Sequence, residues 1–449
     1  MNRWMDELMA LLRFPSISTD SRHAGDVRAC AEWLQEKLTA AGLSAEVHET
    51  PQHPVVVARN EAKPGRLNVL LYGHYDVQPV DPVELWESAP FEPEIRDGKI
   101  WARGATDNKG QFFAHLCGVA EKMEEEGDLP VNLTVLLEGE EEIGSPNLRP
   151  FLEAKREELG CDVIVVSDTG MVAPGTPTMG YGLRGIACLE FTVRGPAMDL
   201  HSGVYGGAMA NPATAAAQLV ASLHDEKGRV AVEGFYDEVE DLADWEREMW
   251  ADVPGMSDEE LLEVTGSPAP YGEESFTSAE RLWARPTAEV NGIWGGYQGE
   301  GSKTVLPAEA HVKLSFRLVP NQDPAKILEL AEAHLEKHCP VGVTLEIERG
   351  HSGAAYRTDP HSTYGKAGQE ALKKAFEKDP FLIREGGSIP IIQDFKEVLG
   401  ADTLLLGLAL PDCQIHSPNE NFTVENFEAG IRMNRVLLEE LGKLNGMDN

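Results

Sequence analysis

Two short runs, NVLLY at 68–72 and VIVV at 163–166, are apolar almost without a break, and two residues after each comes a histidine or an aspartate. Such a run suits a strand buried on both faces, which happens when helices cover a parallel sheet from both sides. Helix-patterned segments at 29–41, 110–125 and 148–159 alternate with these runs and with the strand-like 131–137. The same texture returns late in the chain, as a helix over 366–376, a strand at 403–408 and a helix over 424–444. This alternation predicts an α/β core and excludes an all-helical or all-strand chain.

Between the two α/β stretches the pattern changes. Residues 186–193 alternate like a half-exposed strand, 212–223 and 324–338 read as helices, and 311–318 and 343–348 read as strands. A long acidic stretch bearing tryptophans runs from 225 to 283. This order predicts a small α+β domain, helices on one face of an antiparallel sheet, inserted into the first. The expected division is 1–183, 184–352 and 353–449, with the first and last parts forming one domain.

At 449 residues, and roughly 100–200 residues per domain, this division fits the length. The 39 Lys and Arg against 75 Asp and Glu leave a formal charge of −36. So acidic a surface repels phosphate backbones and anionic lipid, which argues against nucleic-acid and membrane partners. No apolar run approaches the roughly 20 residues of a membrane span. Residues 1–16 read as an amphipathic helix rather than a signal peptide. The six scattered cysteines include no Cys-x-x-Cys pair and read as free thiols of a reducing compartment, so a cytoplasmic location is expected. The Asn-x-Thr sequons at Asn132 and Asn421 are then chance matches.

Five segments carry the chemistry: Gly73-His74-Tyr75-Asp76, Thr106-Asp107-Asn108-Lys109-Gly110, Glu140-Glu141-Glu142-Ile143-Gly144-Ser145, Ser167-Asp168 and Ile415-His416-Ser417. They follow predicted strands or open predicted helices. In open parallel sheets, ligands bind beyond the carboxyl ends of the strands, so the segments should converge on one crevice. Carboxylates and imidazoles together suit Zn²⁺, Mn²⁺ or Co²⁺, with Zn²⁺ the usual choice. In His-x-Asp the second residue can fix the imidazole's tautomer and orientation, as a metal-bound histidine requires. Singly, each segment has a plainer reading; Asp107, for instance, could be a helix cap.

In order and spacing, GHYDVQP, ARGATDNKG, EGEEEIGS, SD and HSPNE resemble the di-zinc metallopeptidase family of carnosine dipeptidases, aminoacylases and glutamate carboxypeptidases. The wording GHYDVQP is closest to its dipeptidase branch. The resemblance spans nearly the whole chain and implies a zinc-peptidase-like α/β catalytic domain with an inserted ferredoxin-like lid and dimerisation domain. It implies that His74 and Asp168 bind one metal, Glu142 and His416 a second, and Asp107 both, two divalent ions per subunit. Asp76 would orient His74, Glu141 would be the general base, and a cis peptide would follow Asp107. Four charges from two divalent ions against three carboxylates leave one positive charge, enough to acidify a bound water.

Within the inserted domain, DLHSG resembles the family's lid histidine, implying that His201 reaches the partner subunit's active site and polarises the substrate carbonyl. Thr304, Arg317 and the loop Gly387-Ser388 match residues that hold the substrate's C-terminal carboxylate, and His351 is a looser candidate. His334 and His338, four apart on a predicted helix, form no His-Glu-x-x-His motif and read as a solvated face. The expected activity is hydrolysis of the amide bond of dipeptides or short peptides by a metal-activated water, in a homodimer joined through the lid domain. The alternatives are an N-acyl-amino-acid deacylase or carboxypeptidase of the same family and, more remotely, a metal-binding protein without turnover. Retention of Glu141 speaks against the last, since a structural site has no use for a free base.

Overall fold

The apolar runs become neighbouring strands of one sheet, whose order is Ser44–His48, Val55–Arg59, Asn132–Glu138, Asn68–His74, Val163–Val166, Asp402–Gly407, Thr178–Leu183 and the short Tyr356–Arg357, with Phe381–Glu385 also paired to Thr178–Leu183. The four central strands, from Asn132–Glu138 to Asp402–Gly407, are mutually parallel. The flanking pairs are antiparallel. The sheet is therefore mixed at its margins, where the sequence pattern predicted parallel strands. The computed structural model describes residues 3–387 and 389–446.

The chain divides into two units. The first comprises Met1–Tyr181, Thr358–Ile383 and Ile391–Asn449, the second Gly182–Arg357 and Arg384–Pro390. The expected boundaries at 183 and 352 thus lie within five residues of the observed ones, while the short excursion at 384–390 has no counterpart in the sequence reading. A buried ion pair is among the bonds that hold it to the second unit: Arg384 bonds Glu246, and both side chains are almost wholly enclosed. Desolvating two such charges is tolerated only when they meet.

In the first unit, helix Lys109–Glu126 is buried along nearly its whole first two-thirds and packs against Val424–Gly442, which in turn packs against Thr363–Phe376. Only glycine allows the closest approach, because a Cβ on Gly118 would lie 2.7 Å from Asn434 Oδ1. The same logic seats the end of strand Asn68–His74 on this helix, where a Cβ on Gly73 would lie 2.5 Å from that of Phe112.

The second unit holds a four-stranded antiparallel sheet in the order Thr287–Gly295, Glu309–Leu318, Gly185–Arg194 and Thr344–Gly353. Alternate residues of the central strands, among them Leu189, Phe191, Leu314 and Phe316, pack against helices Pro212–Ala221 and Pro324–His338. The opposite face stays half-exposed. His334 is not on a solvated face: it is buried, its Nε2 within 3.0 Å of Ser222 Oγ, and it belongs to the core side of its helix. The acidic stretch forms three short helices, Asp244–Trp250, Asp258–Thr265 and Ser278–Ala284, held in part by an edge-on contact of Trp250 with Trp283.

Candidate metal centre

Because the central strands of the first unit are parallel, their carboxyl ends share one edge, and the acidic segments gather there. His74 is the last residue of its strand, and Asp168 lies two residues beyond Val163–Val166. Glu141 and Glu142 occupy a single 3₁₀ turn, Glu141–Ile143, that follows Asn132–Glu138. Asp107 precedes helix Lys109–Glu126, whose N-cap is Asn108 rather than Asp107, and the peptide between these two residues is cis. His416 comes from a loop after Asp402–Gly407 and has a left-handed backbone, φ 59°.

Two ligand groups result, His74 with Asp107 and Asp168, and Asp107 with Glu142 and His416. Within each, the donor atoms all lie within 4.8 Å of one another. Asp107 divides its carboxylate between them. Its Oδ1 is 3.1 Å from His74 Nε2, and its Oδ2 is 2.9 Å from His416 Nε2. His74 Nε2 is also 3.6 Å from Asp168 Oδ1, and His416 Nε2 is 3.2 Å from Glu142 Oε2. Borderline imidazole nitrogens and hard carboxylate oxygens, gathered this closely, fit divalent ions such as Zn²⁺ or Mn²⁺.

The electrostatics suit a cation as well. Burial pushes the Asp168 and Glu142 carboxyls above their ordinary range, with neighbouring Asp107 adding to the effect and the imidazoles opposing it. Hydrogen bonds to Asp107 and Glu142 lift His416 to about 10. Burial works against the charge of His74, yet Asp168 and Asp107 raise it well above the usual imidazole value. Burial also opposes the Asp107 carboxylate, but its two histidine partners hold it below the usual range. These acids are being compensated by imidazolium charge, the role a bound cation takes over.

The run of glutamates is sorted by its partners. Glu140 is occupied, accepting from the His53 backbone N–H at 2.7 Å and from Thr50 Oγ1 and Asn147 Nδ2. Glu142 joins the cluster. Among the described residues nothing hydrogen-bonds the Glu141 carboxylate, and burial above all pushes it well over the ordinary carboxylate range. Asp76, wholly buried, accepts from the backbone N–H groups of Glu141 at 3.2 Å and Glu142 at 3.0 Å. His74 Nδ1 is 3.1 Å from the Asp76 carbonyl oxygen and 3.4 Å from its carboxylate. Asp76 therefore braces the glutamate turn as well as the imidazole.

Sequence reasoning passed over two side chains that touch the cluster. Asn108 Nδ2 donates to the Ser167 carbonyl at 2.6 Å and to Asp168 Oδ1 at 2.8 Å, and Gln78 Nε2 donates to Glu142 Oε2 at 2.7 Å. Both stand inside the quoted motifs, within two residues of Asp76 or Asp107. Nearby, buried His115 links Asn434 to Ser167: Asn434 Nδ2 lies 2.9 Å from His115 Nδ1 and His115 Nε2 2.7 Å from Ser167 Oγ, whose hydroxyl donates to the Leu406 carbonyl. That chain requires the neutral ring with its proton on Nε2, and burial lowers the histidine to about 4.

The remaining candidates lie in the second unit. His201 caps the short helix Ser202–Tyr205, its exposed ring accepting from the Gly203 N–H at 3.0 Å. Thr304 is close by in the chain pairing, since the Ser202 N–H donates to its carbonyl at 3.1 Å. Arg317 and His351 belong to the half-exposed face of the four-stranded sheet, where His351 Nε2 is 3.5 Å from Cys188 Sγ and Arg317 pairs opposite Ile186. Gly387 is exposed, and Ser388 lies outside the described residues. Its neighbour Gly386 accepts from Arg184 Nε at 3.0 Å.

Residues 70–440 match the family described as peptidase family M20/M25/M40. The chain is 31% identical over 458 residues to the Cys-Gly metallodipeptidase DUG1 of Saccharomyces cerevisiae, covering 97% of this chain and 95% of the relative. It is 31% identical over 405 residues to the Beta-Ala-His dipeptidase of Homo sapiens, covering 88% and 78%. The solved structure of the M20 family metallo-carboxypeptidase Sso-CP2 from Sulfolobus solfataricus superposes with a TM-score of 0.86 at 35% identity, covering 99% of this chain and all of that one.

Proposed function

The chain belongs to peptidase family M20/M25/M40, and from that premise we propose that it is a dipeptidase working with two divalent ions, Zn²⁺ foremost, at the paired carboxylate–imidazole groups. His74, Asp107 and Asp168 hold one ion; Asp107, Glu142 and His416 hold the other. The division of the Asp107 carboxylate between two imidazoles carries this reading, because one carboxylate oriented toward both groups is what a shared ligand needs. When bound, such ions polarise the scissile carbonyl and make a water acidic.

The chain's own groups do the rest. Glu141, close to both groups and with a carboxylate that nothing among the described residues hydrogen-bonds, takes the proton from the attacking water and returns it to the leaving amine. Splitting adjacent acids into one ligand and one base leaves the base free to titrate. Asp76, Asn108 and Gln78 fix the orientation of the groups they touch, which keeps the reacting atoms in register. Arg317 grips the substrate's C-terminal carboxylate, where a guanidinium can form two parallel bonds, with Thr304, Gly387, Ser388 and His351 around it. His201 stabilises the developing oxyanion in the neighbouring subunit.

The homodimer is supported by the surface of the second unit. Strand Thr287–Gly295 is a sheet edge that exposes Val290, Ile293 and Trp294. Met198, Val204 and Tyr205 stand exposed on either side of His201. A two-fold partner that covers an edge strand removes both liabilities. A cytoplasmic location is supported by the six cysteines, all free thiols. No helix among the described residues is long and apolar enough to cross a membrane.

The likeness to a metallo-carboxypeptidase favours a second reading, in which longer peptides are trimmed from the C-terminus. Both readings share the carboxylate grip and differ in substrate length. We expect metal-loaded protein to cleave dipeptides, to cleave tripeptides more slowly, and to lose at least tenfold in kcat/KM on C-terminal amides. Equal rates on acid and amide would remove the role of Arg317, and faster tripeptide cleavage would favour the carboxypeptidase.

A further inference from the structure

Both metal groups depend on Asp107, and the two loops that supply Asp107 and His416 meet at one buried carboxylate. Glu420 has no exposed surface, and its four bonds saturate it. Its Oε1 accepts from the backbone N–H groups of Thr106 and Asp107, each at 2.9 Å. Its Oε2 accepts from the Gly104 N–H at 2.9 Å and from Arg103 Nη1 at 2.8 Å. Arg103 is equally enclosed and ties the assembly to a third segment through the Pro79 carbonyl at 2.9 Å.

On the other side, Glu420 stands at the neck of the His416 loop. The Asn421 N–H donates to the Cys413 carbonyl at 2.9 Å and closes that loop. Thr106 Oγ1 donates to the Asn421 carbonyl at 2.6 Å, and the Ala102 N–H donates to that of Glu420 at 3.1 Å. The two ligand-bearing loops are thus joined on both sides of the carboxylate.

A buried charge pair is a poor means of adding stability, since well-packed apolar side chains of similar size do as well. What apolar atoms cannot do is accept from three backbone N–H groups that a tight loop turns inward. We propose that Glu420 is a positioning residue for the metal centre: it sets the backbone from Gly104 to Asp107 against the His416 loop, so that one Asp107 oxygen faces each imidazole. Arg103 supplies the one side-chain donor of the four and an opposite charge beside the enclosed carboxylate. This rests on Asp107 and His416 being metal ligands.

The test is titration of metal-free protein with Zn²⁺ in competition with a chromophoric chelator, alongside thermal unfolding. E420Q keeps the shape but turns an amide NH₂ toward donors. It should bind the second equivalent of zinc about 10–100-fold more weakly, the range found when groups behind metal ligands are altered. The first equivalent should weaken less, because His74 and Asp168 remain. At limiting zinc the variant should lose turnover, and excess zinc should restore it without a change in KM. A purely structural role would lower the melting temperature of the metal-free protein and leave both zinc affinities of the folded variant unchanged, which would overturn the proposal. If E420Q does not fold, R103K decides: weakening of at least about threefold at the second equivalent supports the proposal, and no change overturns it. Wild-type protein that takes up no zinc would instead defeat the metal reading itself.

Discussion

The residues assigned to metal and those assigned to substrate live in opposite surroundings. In the first unit, His74 and Asp76 are wholly buried, and every proposed ligand but His416 is held among buried strand ends or loops with defined partners. In the second unit, His201, Thr304, His351 and Gly387 are exposed, and Arg317 is only half-buried. Enclosure is what gives a hydrogen bond or a charge its strength in a catalytic site. The metal centre has that enclosure within its own unit. The recognition residues lack it within theirs, and under the homodimer reading the assembly supplies it.

The contrast breaks most sharply at Glu141. The E141Q variant should keep both metals, because Glu141 is not a ligand, and lose about 10²–10⁴-fold in kcat, the usual share of a general base. Metal analysis and steady-state kinetics on the same sample decide it; near-normal turnover with metals bound would mean that the base lies elsewhere.

A smaller effect sharpens the other half. If the recognition set acts across the dimer, mixing inactive E141Q with inactive H201A should restore activity to about a quarter of wild type, since random exchange makes half the dimers mixed and each carries one complete site of two. Subunit exchange should be confirmed with differently tagged chains. Exchange without recovery would confine His201 to its own subunit.

The smallest effect concerns the buried frame of the metal unit. His115 is neutral when folded, its value lowered to about 4 from 6.5 by burial. Protonation favours the unfolded chain, so this contribution is complete above pH 6.5 and is lost as the pH falls toward about 4. The loss approaches about 1.4 kcal/mol per pH unit within that window. The hydrogen-exchange protection factors of helix Lys109–Glu126, which divide out the intrinsic pH dependence of amide exchange, should therefore fall on acidification in wild type and fall less in H115Q. Equal responses would show that the ring is not the titrating group.

Much of the metal unit could be read from the chain because its signals are local. An uninterrupted apolar run fixed the strand at Val163–Val166 to the residue, and the acid or histidine after each run lies where parallel strands end. The marginal strands were harder. Thr178–Leu183 carries two glycines, poor strand formers in isolation, yet is buried throughout by its neighbours. Gln78, Asn108 and Glu420 stand in quoted motifs, but their roles depend on contacts as distant as the 313 residues separating Asp107 from Glu420. His334 reads as surface because its partner, Ser222, lies 112 residues away, just past the end of another helix.

The strand order also dictates a schedule for synthesis. Asp402–Gly407 lies between Val163–Val166 and Thr178–Leu183, so a strand in the middle of the first sheet is made long after both of its neighbours. At roughly 5–20 residues per second, the nascent chain waits on the order of ten seconds or more with the hydrogen-bonding edge of Val163–Val166 unfilled. Most of the second unit, continuous from Gly182 to Arg357, emerges during that interval. His416 leaves the ribosome after the strand that closes the gap, so of the two candidate ligand groups the one that contains His416 cannot be complete until that strand has been made, whereas His74, Asp107 and Asp168 are all present long before.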